Sequence, residues 1–149
     1  MKRMLFIDAD SCTGCLSCVT VCSQRNEGMS APSRSRVYVE LNPFIGLYRP
    51  QICLQCVRAP CAEVCPVGAI RQEPGRGYWF IDYDVCIGCK DCVTACPLGV
   101  MFFDPIGEKV LKCETCQEDP ACAKVCPTQA IAWGDMGERE NYRKRKARQ

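Results

Sequence analysis

The run Cys86-Ile87-Gly88-Cys89-Lys90-Asp91-Cys92-Val93-Thr94-Ala95-Cys96-Pro97 constrains this chain more than any other stretch. Three cysteines two residues apart can turn their thiolates towards one body only if the loop folds tightly around it. Gly88 leaves out a side chain where that folding is closest. Cys96 follows after a three-residue gap, facing away along the start of a helix, and Pro97 turns the chain just after it. This C-x2-C-x2-C-x3-C-P spacing wraps a cubane [4Fe–4S] cluster and usually sends its fourth thiolate to a neighbouring cluster.

The rest of the chain varies this run. Cys12, Cys15, Cys18 and Cys22 repeat its spacing, with Gly14 in the place of Gly88. Ser23 stands where a proline is expected, so the exit from that loop should differ locally. Cys53, Cys56, Cys61 and Cys65-Pro66 form an expanded version containing Val57-Arg58-Ala59-Pro60. Cys113, Cys116, Cys122 and Cys126-Pro127 form another, expanded by residues 117–121, and Pro60 and Pro120 sit at matching places. Compact and expanded quartets therefore alternate, an internal repeat at the level of ligands. They use all 16 cysteines, enough for four [4Fe–4S] clusters. No quartet lacks the ligand whose loss would leave a [3Fe–4S] centre. Structural zinc favours two C-x2-C pairs across a longer spacer, whereas each group here bunches three cysteines before the fourth.

Histidine is absent, which removes His-based acid–base catalysis, Cys/His zinc sites, haem ligation through histidine and Rieske clusters. A chain of 149 residues is one domain by length, and at 8% aromatic residues its core must be shared with whatever the cysteines hold. The formal charge of +2 counts thiols as neutral; with four clusters ligated it becomes roughly −6. Lys and Arg are thus partly counter-charge, not a sign of nucleic-acid binding. No stretch reaches the about 18 apolar residues of a membrane span. The approach to Cys12 through Lys2 and Arg3 has no signal-peptide apolar region, so a cytoplasmic location is expected. There, cysteines at these spacings are ligands rather than disulfides.

Along the chain, Met4 to Asp10 reads as a strand (Leu5, Phe6, Ile7) ending in a polar turn. Val19 and Val21 fit a short helix carrying Cys18 and Cys22 on one side. Residues 24–36 read as a solvated loop, with its arginines as candidate partner contacts. Val37 to Leu41 is a plausible strand, and Phe44, Ile45, Leu47 and Tyr48 are expected to cover a cluster. Hairpins are expected between Cys65 and Cys86 around Pro74-Gly75-Arg76-Gly77, and between Cys96 and Cys113 around Asp104-Pro105-Ile106-Gly107. Residues 138–149 form a basic tail with no apolar face, read as a frayed helix or disordered end.

Two pairings satisfy the crossing of fourth cysteines. In a nested one, the hairpin joins quartets two and three, giving Cys53/Cys56/Cys61/Cys96 and Cys86/Cys89/Cys92/Cys65. The outer quartets then give Cys12/Cys15/Cys18/Cys126 and Cys113/Cys116/Cys122/Cys22. The alternative pairs quartet one with two and three with four.

Across residues 1–132 the chain resembles the four-cluster iron–sulfur subunits of the DMSO reductase type, which accompany molybdenum or tungsten enzymes and some hydrogenases. That resemblance implies the nested pairing and an α+β fold of two nested bacterial-ferredoxin-like modules with short helices and β-hairpins. Residues 1–22 with 100–137 would form the outer module and 53–99 the inserted one, joined by a linker with a short strand at 23–52. The compact fourth quartet (Lys112-Cys113-Glu114-Thr115-Cys116, then Asp119-Pro120-Ala121-Cys122-Ala123-Lys124-Val125-Cys126-Pro127-Thr128), with Arg34-Ser35-Arg36-Val37-Tyr38-Val39-Glu40 upstream, looks more like the small subunits of tungsten aldehyde oxidoreductases. Hydrogenase and carbon monoxide dehydrogenase ferredoxin subunits are close in pattern.

The function expected is electron relay without catalysis, because there is no open ligand position, phosphate loop or histidine. The expected partner is a large tungsto- or molybdopterin catalytic subunit, accompanied by a further flavin or redox subunit. Lys90, Arg58, Lys112 and Lys124, each near a ligand, are candidates for raising a cluster's potential or are plain surface charges. Self-stacking through residues 24–36 and the basic tail is a further expectation. A free-standing polyferredoxin is the second reading; nucleic-acid binding by the tail is the third and weakest.

Overall fold

The computed structural model describes residues 3–146. The elements in order are strand β1 (Met4–Ile7), helix α1 (Ser17–Glu27), strands β2 (Val37–Asn42) and β3 (Leu47–Ile52), and helix α2 (Pro60–Glu63). Strands β4 (Ile70–Gln72) and β5 (Trp79–Ile81), helix α3 (Asp91–Ala95), and strands β6 (Phe102–Asp104) and β7 (Lys109–Leu111) follow. Helix α4 (Ala121–Val125), strand β8 (Ile131–Gly134) and helix α5 (Met136–Lys146) complete them.

Proline sets the helix lengths. The residue before a proline is driven out of the helical region, and Cys96 and Cys126 are accordingly extended, with ψ of 112° and 109°. Helices α3 and α4 therefore stop after 5 residues each. Ser23 imposes no such stop, and α1 continues to Glu27, where left-handed Gly28 closes it by donating its N–H to the Gln24 carbonyl at 3.0 Å. Residues 24–27 are thus helix, where a loop was expected.

All the sheets are antiparallel pairs. β4–β5 and β6–β7 are the two expected hairpins, and β2–β3 is a third whose second strand the sequence reading missed. Its tip exposes Phe44 (98%) and Ile45 (72%), so neither covers a cluster as expected. Tyr48 does lie over a cysteine loop: a Cβ on Gly14 would meet its ring at 2.8 Å.

The fourth sheet joins β1 to β8, placing Ile7 opposite Ile131 and the first cysteine loop beside the fourth. It repeats the inner hairpin's geometry without its turn. Ile81 pairs with Ile70, and Asp82 N–H donates to the Ala69 carbonyl at 2.8 Å. Likewise Ile7 pairs with Ile131, and Asp8 N–H donates to the Ala130 carbonyl at 2.8 Å. Helix α1 packs on α4, and α2 on α3.

Two apolar cores follow. One gathers Leu5, Val19, Val37, Val39, Ile52, Val100 and Ile131 around Cys18, Cys22, Cys53, Cys113 and Cys122. The other gathers Ala59, Ile70, Ile81, Met101 and Val110 around Cys61 and Cys92. Cysteine sulfur is therefore interior to both.

Of the two forms expected of the tail, the described part takes the helical one, though anchored. It is helical through Lys146, and buried Tyr142 anchors it by donating to the Gln129 carbonyl at 2.8 Å and to Asp8 Oδ2 at 3.3 Å. The tail beyond residue 146 lies outside the described residues. Among the described residues no helix is long and apolar enough to cross a membrane.

Candidate metal centres

Each cysteine loop is built on a left-handed residue two places after its first cysteine. Gly14 (φ 70°) and Gly88 (φ 69°) occupy it in the compact loops, Gln55 (φ 54°) and Thr115 (φ 53°) in the expanded ones. Such turns curl successive N–H groups inward into an anion-binding nest. A non-glycine residue there is strained by roughly 1–2 kcal/mol, and both side chains make compensating bonds. Gln55 donates to the Cys113 carbonyl at 2.6 Å and accepts from Trp79 N–H at 2.7 Å. Thr115 Oγ1 donates to the Glu114 carbonyl at 2.7 Å and accepts from Glu118 N–H at 3.4 Å. The sequence reading noticed the glycines and missed these two. Their shared offset from the first cysteine was the available signal.

A second turn follows three of the quartets. The N–H groups of Gly68, Gly99 and Gln129 return to the carbonyls of Cys65, Cys96 and Cys126 at 3.1–3.2 Å, and all three residues are left-handed. The chain then enters the core at Ala69, Val100 and Ala130, each at most 1% exposed.

The cysteines gather in fours. Cys65, Cys86, Cys89 and Cys92 line one cavity, Cys22, Cys113, Cys116 and Cys122 a second, and Cys53, Cys56, Cys61 and Cys96 a third. Burial pushes the Cys18 thiol up to about 11, and Cys126, Cys15 and Cys12 add their charges to that rise. Among the described residues no three Cys, Asp or Glu side chains converge on a point fit for one ion. Thiolates spaced around a cavity fit the corners of a cube instead. Backbone N–H groups already face several sulfurs: Arg36 to Cys22 at 3.3 Å, Ala69 to Cys65 at 3.2 Å and Thr115 to Cys113 at 3.4 Å.

Burial and the charges of other cysteines act together on several thiols. Burial raises Cys122, and Cys22, Cys116 and, from the next group, Cys18 add to it. Burial raises Cys113 well above its ordinary value, with Cys53 of another group the largest charge acting on it. Burial raises Cys92 to about 11, with contributions from Cys89 and from Cys61 across the inner boundary. Buried thiols resist ionising, so iron uptake at these positions must release protons.

The four basic residues singled out from sequence separate sharply. Arg58 and Lys124 have side chains 88% and 63% exposed and pair with Glu63 and Asp119. Exposed Lys90 stands 3.8 Å over the Phe103 ring. Lys112 is 2% exposed. Arg34 and Arg36, expected in a solvated loop, are ion-pairing groups, Arg36 buried and Arg34 half-buried. Arg34 meets Asp104 at 2.6 Å and Arg36 meets Glu27 at 2.6 Å, so neither is free for docking or stacking.

A family model described as "4Fe-4S dicluster domain" matches residues 44–136, and one described as "4Fe-4S binding domain" matches residues 5–24. The chain is 36% identical to the NrfC homolog of Haemophilus influenzae, covering 99% of this chain and 72% of the relative. It is 32% identical to NrfC of Escherichia coli K12 over 88% of this chain, and spans 64% of that protein's length. One chain of the polysulfide reductase of Wolinella succinogenes is 33% identical, over 92% of this chain and 78% of that protein. In fold, one chain of the active site complex BamBC of benzoyl coenzyme A reductase superposes with a TM-score of 0.53 at 24% identity, covering 89% of this chain and 76% of that one. Four [4Fe–4S] clusters account for every cysteine. This protein belongs to the 4Fe-4S dicluster family of ferredoxin-like electron-transfer subunits.

Proposed function

We propose that this chain relays electrons to or from a larger catalytic subunit of the tungsten or molybdenum pterin class, and carries out no substrate chemistry itself. One observation carries the relay: the cysteine groups adjoin through two shared cores. Cys18, Cys22, Cys53, Cys113 and Cys122 lie in one core, Cys61 and Cys92 in the other, and Cys96 packs against both, while Gln55 of the Cys53 loop donates to the Cys113 carbonyl at 2.6 Å. The file we infer runs from the Cys12/Cys15/Cys18/Cys126 group through the Cys113/Cys116/Cys122/Cys22 group and the Cys53/Cys56/Cys61/Cys96 group to the Cys86/Cys89/Cys92/Cys65 group. Each cluster exchanges one electron at a time at a potential set by charge, burial and hydrogen bonds to sulfur.

The protein's part is to hold this file rigid and shielded. The proposed modules are residues 1–22 with 100–137, and residues 53–99 inserted between them; the β1–β8 pairing and the α1–α4 contact support the outer one. Cys96 and Cys65 exchange between the inner groups, as Cys22 and Cys126 do between the outer ones. The terminal groups end on exposed Cys15 and Cys89, the natural places for electrons to enter and leave. Free thiol ligands suit a reducing cytoplasm.

The catalytic class rests on the sequence resemblance, and on relatives named as parts of larger enzymes, among them the polysulfide reductase of Wolinella succinogenes and a sulfite dehydrogenase. Anaerobic purification from the native source tests it. A large chain containing tungsten or molybdenum should co-elute with this one. Isolation of this chain alone, with four clusters and no partner, would establish the free-standing polyferredoxin instead. A hydrogenase or carbon monoxide dehydrogenase partner would replace the metal class.

A further inference from the structure

Three of the cysteine-lined cavities each have one basic residue in the wall, and the three differ in kind. Lys90, beside Cys65, Cys86, Cys89 and Cys92, is exposed, so water and salt screen it. Arg36, beside Cys22, Cys113, Cys116 and Cys122, has its side chain 7% exposed, but Glu27 neutralises it at 2.6 Å. Lys112, beside Cys53, Cys56, Cys61 and Cys96, is 2% exposed. Its Nζ donates to the carbonyls of Trp79 at 2.7 Å and Cys113 at 2.9 Å and reaches Gln55 Oε1 at 3.5 Å. Those acceptors are neutral. Among the described residues no carboxylate forms an ion pair with Lys112.

A buried ammonium without a counter-charge is strongly unfavourable. Hydrogen bonds to carbonyls satisfy its three protons but cancel none of its charge. Four thiolates and their core in the adjoining cavity carry net negative charge, which grows by one on reduction. A fixed positive charge at close range in a low-dielectric setting favours the more negative state.

We propose that Lys112 sets the cluster held by Cys53, Cys56, Cys61 and Cys96 at the highest reduction potential of the four. This rests on the ligand grouping above. It makes the third member of the file a resting place for an electron inside the relay, immediately before one terminal group. The side chain acts through its charge alone, and Gln55 positions it from the left-handed place in the Cys53 loop.

The test is a potentiometric titration followed by electron paramagnetic resonance on the anaerobically purified native complex, comparing wild type, K112M, K112R and the marker variant C61S. In wild type, the cluster of highest potential should be the one whose signal C61S alters. K112M should shift that cluster's oxidised-to-reduced ratio at fixed potential at least tenfold towards oxidised, a fall of 59 mV or more. The other three should move less, and K112R should stay near wild type. Unchanged potentials in K112M, equal shifts in all four clusters, or a different cluster at the top would overturn the proposal. Should K112M lose iron, retention by K112R supports a requirement for charge, and loss in both overturns it as a packing effect. C96S separates the two levels of argument: if it and C61S alter different clusters, the ligand grouping fails, whatever Lys112 does.

Discussion

The two compact cysteine loops, Cys12–Cys22 and Cys86–Cys96, begin alike and end differently. Both place a left-handed glycine after the first cysteine, and a left-handed Leu16 or Lys90 just before the helix that bears the third. Pro97 then ends α3 at 5 residues, whereas Ser23 lets α1 run for 11. Ser23 is itself fully buried, donating to the Thr20 carbonyl at 2.9 Å and accepting from Ala31 N–H at 3.1 Å. The added turn carries Asn26 and Glu27, which reach Cys22, Arg36 and Lys109. The spacing of ligands builds the cradle. The residue after the last ligand decides what the cradle is fastened to.

Exchanging those residues should break the comparison most visibly. S23P removes a helical N–H and forces Cys22 out of the helical region, costing about 3 kcal/mol or more from the helix alone. It also undoes every contact made beyond it. Iron analysis and visible absorbance should show loss of the two outer clusters. P97S should keep all four and lower stability by under about 1 kcal/mol, because only the rigid turn is lost. Equal effects from the two substitutions would show that the helix extension holds nothing.

Glu27 carries the next largest effect. Its side chain is 6% exposed and meets Arg36 at 2.6 Å, Lys109 at 3.2 Å and Arg34 at 3.9 Å, so one carboxylate joins α1 to the β6–β7 hairpin. Burial works to raise its pKa, but the bonds from Arg36 and Lys109 outweigh that and hold it below its ordinary value. E27Q leaves buried Arg36 short of its partner and should cost about 3 kcal/mol in denaturant unfolding. The carboxylate's contribution is complete above its unfolded pKa and disappears as pH falls through the lower folded value. E27Q should therefore flatten that part of the stability profile.

The cysteine quartets, the helix bearing Cys18 and Cys22 and the β4–β5 and β6–β7 hairpins were legible in the sequence, because each depends on residues a few places apart; the helix expected to start at Cys96 instead ends just before it, because Pro97 forces Cys96 to be extended. Cysteine spacing, proline and turn residues state those relations directly. Long-range closures were not legible. No local pattern tells that Ile131 pairs with Ile7, and β8 went unread. The arginines at 34 and 36 sit in a polar stretch that looks solvated. They leave solvent, Arg36 fully and Arg34 in part, because Glu27 and Asp104, distant in sequence, come to meet them. Lys112 could be suspected from its neighbour Cys113, yet only the fold shows that Trp79 and Gln55 enclose it while Lys90 stays in water. Gln55 and Thr115 escaped notice because they take a glycine-like backbone without being glycine.

The smallest effect is expected at Asn26, and it sharpens the comparison at the level of a single sulfur. Asn26 Nδ2 donates to the Cys22 carbonyl at 2.8 Å and approaches Cys22 Sγ at 3.6 Å, beside the Arg36 N–H at 3.3 Å. Among the described residues Cys96 Sγ accepts no hydrogen bond, and α3 ends before it. N–H groups facing a ligand sulfur stabilise added negative charge and raise a cluster's potential. N26A should cost about 1 kcal/mol or less, because the side chain is exposed and water replaces its bond to the carbonyl. It should lower the potential of the cluster that includes Cys22, by less than K112M lowers its own, and leave the Cys96-containing cluster unmoved. A shift of equal size at both clusters would mean that net charge and burial, not the α1 extension, distinguish the two compact loops.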